Sequence, residues 1–274
     1  MNSILDVVSQ KVSASSVEEA IQKVCNWTVE EVPVFVNGEV FPKVKAFCRS
    51  DNKAVLGVVG KNTRPLQNVE AFKFFNNFLD SMTIERVGTT NNGAKVFILA
   101  SMNKADRIVD DDIVNRYLLL SNSHDGTLAV RVGFTPIRVH CANMLKSAHK
   151  AGVFVSIKHN LNLTKKLDDV RKAILNNDEF DKTVEIYKFL ATKKVNGDSL
   201  KAYFSGFSKE EKLLELFEND KGNGATFWHA YNAVNSYLNH SKHSDKRVES
   251  LLWGHYDKLN KLALDKAIQM ANAA

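Results

Sequence analysis

The segment from Tyr117 to Cys141 constrains the fold of this chain more than any other. Two runs rich in β-branched and apolar residues flank the turn sequence Ser123-His-Asp-Gly126. Asp-Gly between alternating apolar runs is a strong hairpin signal, because glycine accepts the positive φ that tight turns require. The segment therefore predicts two antiparallel strands joined by this turn.

The chain changes character near residue 160. Before it, strand-like runs alternate with turn signals such as Asn37-Gly38 and Asp51-Asn52. After it, apolar residues recur every three or four positions, which is typical of amphipathic helices. We therefore expect an α+β fold. Its β-rich domain of antiparallel meanders and hairpins, with short helices, covers residues 1–160, and an all-helical domain over residues 161–274 packs on it.

The same patterns predict the bounds of individual elements. Strands are predicted over residues 32–36, 39–49, 54–59 and 153–159, and a hairpin over residues 83–100. Helices are predicted over residues 16–26, 69–79, 199–204, 209–218, 226–238 and 247–270. A further helix is predicted through Met144, Leu145 and Ala148.

Composition narrows the cellular setting. Lysine and arginine outnumber aspartate and glutamate by 37 to 31, and the net charge of +6 fits either a polyanionic partner or ordinary solubility. Cys25, Cys48 and Cys141 are far apart, which favours free thiols in a reducing compartment. The sequence shows no signal-peptide pattern and no apolar stretch of the roughly 18 to 20 residues that a membrane span needs. We expect a cytoplasmic protein without a membrane partner.

Residues 39–49 carry the sharpest candidate binding pattern. Because side chains alternate between the two faces of a strand, one face is apolar and the other combines three cations with two aromatic rings. Cations contact phosphates and aromatic rings stack on unpaired bases, as on a single-strand-binding platform. An outer sheet face with ordinary lysines is the alternative. The five side chains are Phe41, Lys43, Lys45, Phe47 and Arg49.

Further cations lie on two other segments. Lys61 and Arg64 belong to a polar loop after the strand over residues 54–59, and Arg131 and Arg138 belong to the second strand of the Asp-Gly hairpin. Cations that border one groove would form a basic channel for nucleic acid. We expect phosphate contacts from Lys43, Lys45, Arg49, Lys61, Arg64, Arg131 and Arg138, and base stacking on Phe41 and Phe47.

No motif predicts a catalytic set, a metal site or a cofactor. His124 and Asp125 lie beside serines, but neighbours in a tight turn rarely supply the geometry of a nucleophilic triad, so a turn role is favoured. The histidines of the helical half lack zinc-site spacing. One enzyme hypothesis stays open: Gln67, Asn68, His124 and Asp125 would have to converge in one cleft.

Three blocks of the chain resemble a family of uncharacterised proteins carried by phages, prophages and plasmids. Their most specific motifs are Gln67-Asn68, Ser123-His-Asp-Gly126 and Cys141-Ala-Asn143, in that order. The blocks cover residues 55–68, 116–145 and 226–240. The resemblance implies a mobile-element protein and carries no assigned chemistry. A β-β-β-α core followed by helices is also similar to annealing proteins of the Red-beta and Erf type, which implies oligomeric rings on single strands.

These observations favour a non-enzymatic, homo-oligomeric protein that binds single-stranded DNA and assists annealing or recombination in a phage or plasmid. The alternative is an interaction protein of a mobile element that binds a host factor or antagonises a host defence protein. The two differ in their partner: the first needs cations along a groove, whereas the second needs a protein-binding surface.

Overall fold

The computed structural model describes residues 3–138, 143–144, 155–157, 178–222, 224–240 and 244–274. The predicted α+β class is confirmed, since strands dominate up to residue 157 and helices follow from residue 178. The predicted domain boundary near residue 160 lies outside the described residues, and so do Leu145 and Ala148 of the predicted helix. No described helix combines the length and apolar character that a bilayer crossing requires.

The described strands are ten in number. In chain order they are β1 (Ser9–Lys11), β2 (Val29–Val36), β3 (Glu39–Arg49), β4 (Val55–Gly60), β5 (Thr83–Thr90), β6 (Lys95–Val109), β7 (Asp112–Ser123), β8 (Val130–Arg138), β9 (Asn143–Met144) and β10 (Val155–Ile157). They form a seven-stranded antiparallel sheet in the order β1-β5-β6-β7-β8-β10, with β9 also paired to β8, and a three-stranded sheet in the order β2-β3-β4.

Eight α-helices lie within the described residues. They are α1 (Val17–Val24), α2 (Asn68–Phe72), α3 (Asp178–Thr192), α4 (Gly197–Phe204), α5 (Glu210–Asp220), α6 (Phe227–His240), α7 (Asp245–Trp253) and α8 (His255–Ala273). Short 3-10 helices cover Ile4–Val7, Lys73–Phe78 and Asn91–Gly93.

The turn signals of the sequence match the observed turns. Asn37 and Gly38 both have positive φ, of 53° and 85°, at the turn between β2 and β3. Gly126, with φ of 77°, lies in the connection between β7 and β8, which spans residues 124–129. The hairpin predicted over residues 83–100 is confirmed as β5 and the first part of β6.

Three element predictions need correction. Met144 is not helical, because the backbone of Asn143–Met144 pairs with the end of β8. The helix predicted over residues 69–79 is α2 followed by a 3-10 segment, Lys73–Phe78. The helix predicted over residues 247–270 divides into α7 and α8 at Gly254, whose φ and ψ of −115° and −142° are not helical.

One hydrophobic core runs through the sheets and the helices. Aromatic rings make several of the contacts between the two halves of the chain. Phe134 of β8 meets Phe180 of α3 edge-on at 6.0 Å, and Phe97 of β6 meets Trp253 of α7 at 6.1 Å. Trp228 of α6 is fully buried. The helical half is therefore fixed on the larger sheet by apolar packing.

Of the four buried lysines and arginines described on the larger sheet, three add polar links to the helical half. Each one contacts one carboxylate from the sheet strands or their turns and one from a helix. Lys95 joins Asp125 to Glu249 of α7, Arg116 joins Asp106 to Asp181 of α3, and Arg138 joins Asp112 to Asp220 of α5. Their side chains are only 9%, 9% and 5% exposed. Each buried positive charge is stabilised by the carboxylates that lie on its two sides.

Candidate nucleic-acid interface

The smaller sheet meets the larger one at a close backbone contact. A Cβ atom placed on Gly57 of β4 would lie 2.6 Å from the Cα of Asp125, a distance that real Cβ atoms do not show. Only glycine therefore allows β4 to lie this close to the turn after β7. The contact fixes the position of the loop that follows β4, residues 61–67, opposite the turn at residues 123–129.

A groove opens between this loop and this turn. It encloses about 470 Å³ and is lined by residues of β3, β4, the loop and the turn. Arg64 stands on the loop side, and Ser123, His124 and Asp125 stand on the turn side. The apolar lining consists of Phe47, Val58, Val59, Leu66, Leu128 and Ala129. The motif blocks at residues 55–68 and 123–126 thus form one surface, although about 60 residues separate them in sequence.

The end of the loop is tied to strand β2. The side chain of Gln67 accepts a hydrogen bond from the Val29 N–H at 2.9 Å and donates one to the Val29 carbonyl at 3.1 Å. The Gln67 N–H also donates to the Glu70 carboxylate at 3.2 Å, which completes a capping box at the start of α2. Gln67 therefore has a positioning role in this loop.

Asn68 and His124 connect the loop to the turn beneath the groove. Both are 2% exposed, and the His124 Nε2 lies 2.9 Å from the Asn68 Oδ1. Because a side-chain carbonyl oxygen only accepts, Nε2 carries the proton. The Asn68 amide also donates to the Trp27 carbonyl, and the Trp27 ring meets the His124 ring edge-on at 5.7 Å. The pair holds the two sides of the groove in fixed register.

The turn itself is stabilised by local hydrogen bonds. Asp125 accepts from the Thr127 N–H at 2.9 Å and from the Thr127 hydroxyl at 2.6 Å. The Ser123 hydroxyl accepts from the Leu128 N–H and donates to the Leu128 carbonyl. Burial raises the pKa of the Asp125 carboxyl, but the Thr127 hydrogen bonds and the charge of Lys95 outweigh burial and hold that pKa below its usual value. Asp125 is thus a carboxylate in a rigid turn.

The predicted contact residues fall into three groups, of which the first is accessible. Phe41, Lys43, Lys61 and Arg64 are exposed, and Arg131 is partly exposed. None of the four cations forms an ion pair with any residue that the structure describes. Lys43 and Lys61 are adjacent, since the Lys61 N–H donates to the Lys43 carbonyl at 3.0 Å. Lys61 directly follows Gly60, which lines the groove.

The second group is engaged within the protein. Lys45 pairs with Glu31 at 2.7 Å, and its side chain is 16% exposed. Arg49 pairs with Asp51 at 2.6 Å and lies over the Trp27 ring at 4.6 Å. Both cations already have a carboxylate partner, so each is a weaker candidate for a phosphate contact than Lys43.

The structure removes the last two residues from the predicted contact set. Phe47 borders the groove but is 3% exposed and belongs to the hydrophobic core, so it cannot act as an open stacking surface. Arg138 is 4% exposed and held by Asp112 and Asp220. The pairing of β2 with β3 also shifts register between Pro33, which faces Lys45, and Phe35, which faces Val40. The regular alternation expected for β3 is therefore interrupted between residues 40 and 45.

The four polar residues of the enzyme hypothesis do not share one cleft. His124 and Asp125 line the groove, whereas Gln67 and Asn68 line a different pocket of about 430 Å³ beside α1. In the described part of the chain, no three His, Cys, Asp or Glu side chains are grouped so that they could hold a metal ion. His229 lies 2.8 Å from the Thr226 hydroxyl, and burial lowers its pKa.

Comparison with protein families identifies the chain. A family model described as a domain of unknown function, DUF932, matches residues 55–267. The chain belongs to the DUF932 family. The span that the DUF932 model matches contains β4, the loop, the turn and the three buried cations, whereas β2 and β3 precede it. No curated protein and no solved structure matches the chain. The similarity to annealing proteins of the Red-beta and Erf type stays a prediction.

Proposed function

We propose that this DUF932 protein binds single-stranded DNA in the groove, without catalysing a reaction, and assists annealing or recombination of phage or plasmid DNA. The observation that carries the proposal is the combination of an apolar groove with exposed cations beside it. Lys43, Lys61 and Arg64 make no ion pair with the described residues, so their charges are available to phosphates. Single strands are bound in this way, by cations along the backbone and apolar contacts to the bases.

The dimensions of the groove favour an unpaired base over a duplex. Its volume of about 470 Å³ lies in the range of about 300–1,000 Å³ that is typical of sites for small organic molecules. A base inside a duplex is stacked and paired, and it enters such a site only at the expense of both interactions. An unpaired base can directly contact Leu66 and Leu128, which are both partly exposed. We therefore expect single strands to bind more tightly than duplexes.

The test is a charge-reversal variant, Lys43→Glu with Lys61→Glu and Arg64→Glu. We expect it to bind a labelled single-stranded oligonucleotide at least about a hundredfold more weakly than the wild type at low salt, because three attractive charges beside the phosphates become repulsive. The salt dependence of log K should also become shallower, by about 0.7 for each phosphate that the protein no longer neutralises. Fluorescence anisotropy across a salt series measures both quantities.

A second variant with the same net charge controls for non-specific attraction. Lys188→Glu, Lys201→Glu and Lys258→Glu replace exposed lysines of α3, α4 and α8. We expect this control to change affinity by less than about threefold, since distant exposed charges are screened. Equally weakened binding in the two variants would show that the protein attracts DNA by net charge alone. An absence of binding by the wild type would overturn the proposed function.

A specific observation favours protein contacts as a second candidate function. Seven of the nine most exposed large apolar side chains of the described residues lie on the three-stranded sheet. Val32 and Val58 flank Ala46 across the sheet, with 36% and 56% of their surfaces exposed. Phe35 and Val40 face each other at the hairpin end and are 60% and 54% exposed. Clustered apolar exposure of this kind marks interaction surfaces.

We assign this apolar surface to a second copy of the chain, with a host or phage protein as the alternative occupant. The variant Phe35→Glu with Val40→Glu should convert an oligomer into a monomer, because buried charges without partners oppose association. Light scattering after size-exclusion chromatography measures the mass. A wild-type protein that is monomeric at all concentrations would rule out the second copy. Nuclease-resistant binding of a purified host protein, abolished in the variant, would then support the alternative.

A further inference from the structure

A second pocket lies on the other side of the turn that borders the groove. It encloses about 490 Å³ between this turn and helix α7. Leu128 lines both the groove and the second pocket, and the exposed residue Thr127 precedes it at the rim of the second pocket. The two cavities are therefore neighbours that share one wall, the turn itself. Further residues of the second pocket are Lys95, Lys246, Glu249 and Trp253.

The second pocket contains the most exposed indole of the protein. The chain has three tryptophans, all of them among the described residues, and Trp27 and Trp228 are only 7% and 0% exposed. Trp253 is partly buried and lines the pocket. The Phe97 ring packs against it at an interplanar angle of 67°, which holds the indole on the sheet. A fixed, partly accessible indole is well suited to stack on a base, because little side-chain freedom is lost on binding.

The second pocket has one exposed cation that can contact a phosphate. Lys246 is exposed and has no ion pair with a described residue. Glu249 is the acidic residue of the lining, and its charge is compensated by Lys95. Lys95 in turn is 9% exposed and also contacts Asp125, so it is not free to bind a ligand. Lys95, Asp125 and Glu249 together carry one net negative charge, and Lys246 is the exposed cation of the lining that a phosphate can contact.

We propose that a single DNA strand bound in the groove crosses the turn at Thr127 and Leu128 and enters the second pocket. There a base stacks on Trp253 and a phosphate contacts Lys246. This assignment rests on the function proposed for the groove and extends it, since it defines the path of the strand and a second base site. It also predicts that affinity rises when an oligonucleotide is long enough to occupy both pockets.

Tryptophan emission and oligonucleotide length test the second base site together. Titration with an oligonucleotide of about twelve thymidines should quench the emission, whereas one of about four should quench it much less. Trp253→Phe keeps an aromatic ring against Phe97 and should abolish the quenching, since the remaining tryptophans are buried. Trp253→Leu and Lys246→Glu should each weaken binding of the longer oligonucleotide about five- to hundredfold and leave binding of the shorter one unchanged.

The outcomes separate the second base site from the groove. If the longer oligonucleotide binds with the expected dependence on Lys61 and Arg64 but leaves the emission of Trp253 unchanged, the second site is wrong and the groove stands. Equal affinities of the wild type and Trp253→Leu for the longer oligonucleotide would also contradict the second base site. If neither oligonucleotide binds, the proposed function itself fails. Unchanged thermal unfolding of Trp253→Leu and Lys246→Glu excludes a folding defect as the cause of weaker binding.

Discussion

Replacing Arg138 with leucine is expected to lower the free energy of unfolding by about 3–5 kcal/mol, the range observed when one partner of a buried ion pair is removed. The guanidinium is 4% exposed and pairs with Asp112 at 2.7 Å and Asp220 at 2.9 Å. Leucine would leave the two carboxylates, which are only 9% and 16% exposed, without this cation. The indole N–H of Trp228, which donates to Asp112 at 2.7 Å, satisfies only one of them.

Chemical denaturation followed by circular dichroism measures the change in stability. The matched control is Arg107→Leu, which removes an exposed arginine from strand β6. We expect this control to change stability by less than about 0.5 kcal/mol, as is usual for surface substitutions. Combining Arg138→Leu with Asp112→Asn and Asp220→Asn should recover part of the stability, because it removes the unpaired charges. Equal stability of the two arginine variants would show that the Arg138 bridge does not hold the helices on the sheet.

The strand pattern of the sequence does not reveal that Arg138 is buried and paired. In the sequence, Arg138 is one of several cations near a hairpin and resembles an exposed basic residue. Its burial depends on Asp220, which is 82 residues away and reaches it only after the helical half packs on the sheet. Lys95 and Arg116 likewise pair with carboxylates of the helical half that are distant in sequence, Glu249 and Asp181. Local periodicity reports which face of an element is apolar, and it carries no information about such distant carboxylates.

Local backbone chemistry, in contrast, was predictable. Asn37-Gly38 and Gly126 adopt positive φ where the sequence indicates turns, because the requirement lies within two residues. Gly254 shows the limit of the same reasoning. Apolar spacing continues on both sides of Gly254, so the pattern predicts one helix. In the structure the helix ends here, and the backbone approaches the preceding turn so closely that a Cβ atom on Gly254 would lie 2.9 Å from the Ser250 Cα. An isolated glycine in a helical pattern is an ambiguous signal.

The candidate site was predictable in part. The loop with Lys61 and Arg64 and the turn with His124 and Asp125 stand out in the sequence as separate motifs, and the structure brings them to one groove. The side chains of the second pocket gave a weaker signal. Trp253 lies in an amphipathic helix, where an aromatic residue is expected to be part of the core. Only the packing of α7 beside the turn shows that part of its surface is accessible.

Replacing Gly57 with valine is expected to destabilise the protein by about 1–3 kcal/mol, the usual range for an overpacked contact, and to abolish binding in the groove. A Cβ atom at this position would lie 2.6 Å from the Cα of Asp125 and 3.0 Å from its Cβ. The turn cannot retreat easily, because Thr127 and Lys95 both hold Asp125. Strand β4 has to move instead, and it carries Val58 and Val59 of the groove lining with it.

Denaturation and DNA anisotropy on the same Gly57→Val preparation separate the two effects. Gly197→Val is the matched control, since a Cβ atom at Gly197 would have no neighbour within 4 Å. We expect this control to keep both stability and affinity close to those of the wild type. Wild-type stability of Gly57→Val would contradict the close contact between the two sheets. Reduced stability with unchanged affinity would show that the contact between the sheets is real but that DNA binds elsewhere. A movement of β4 changes the lining of the groove, so any base bound there would be affected.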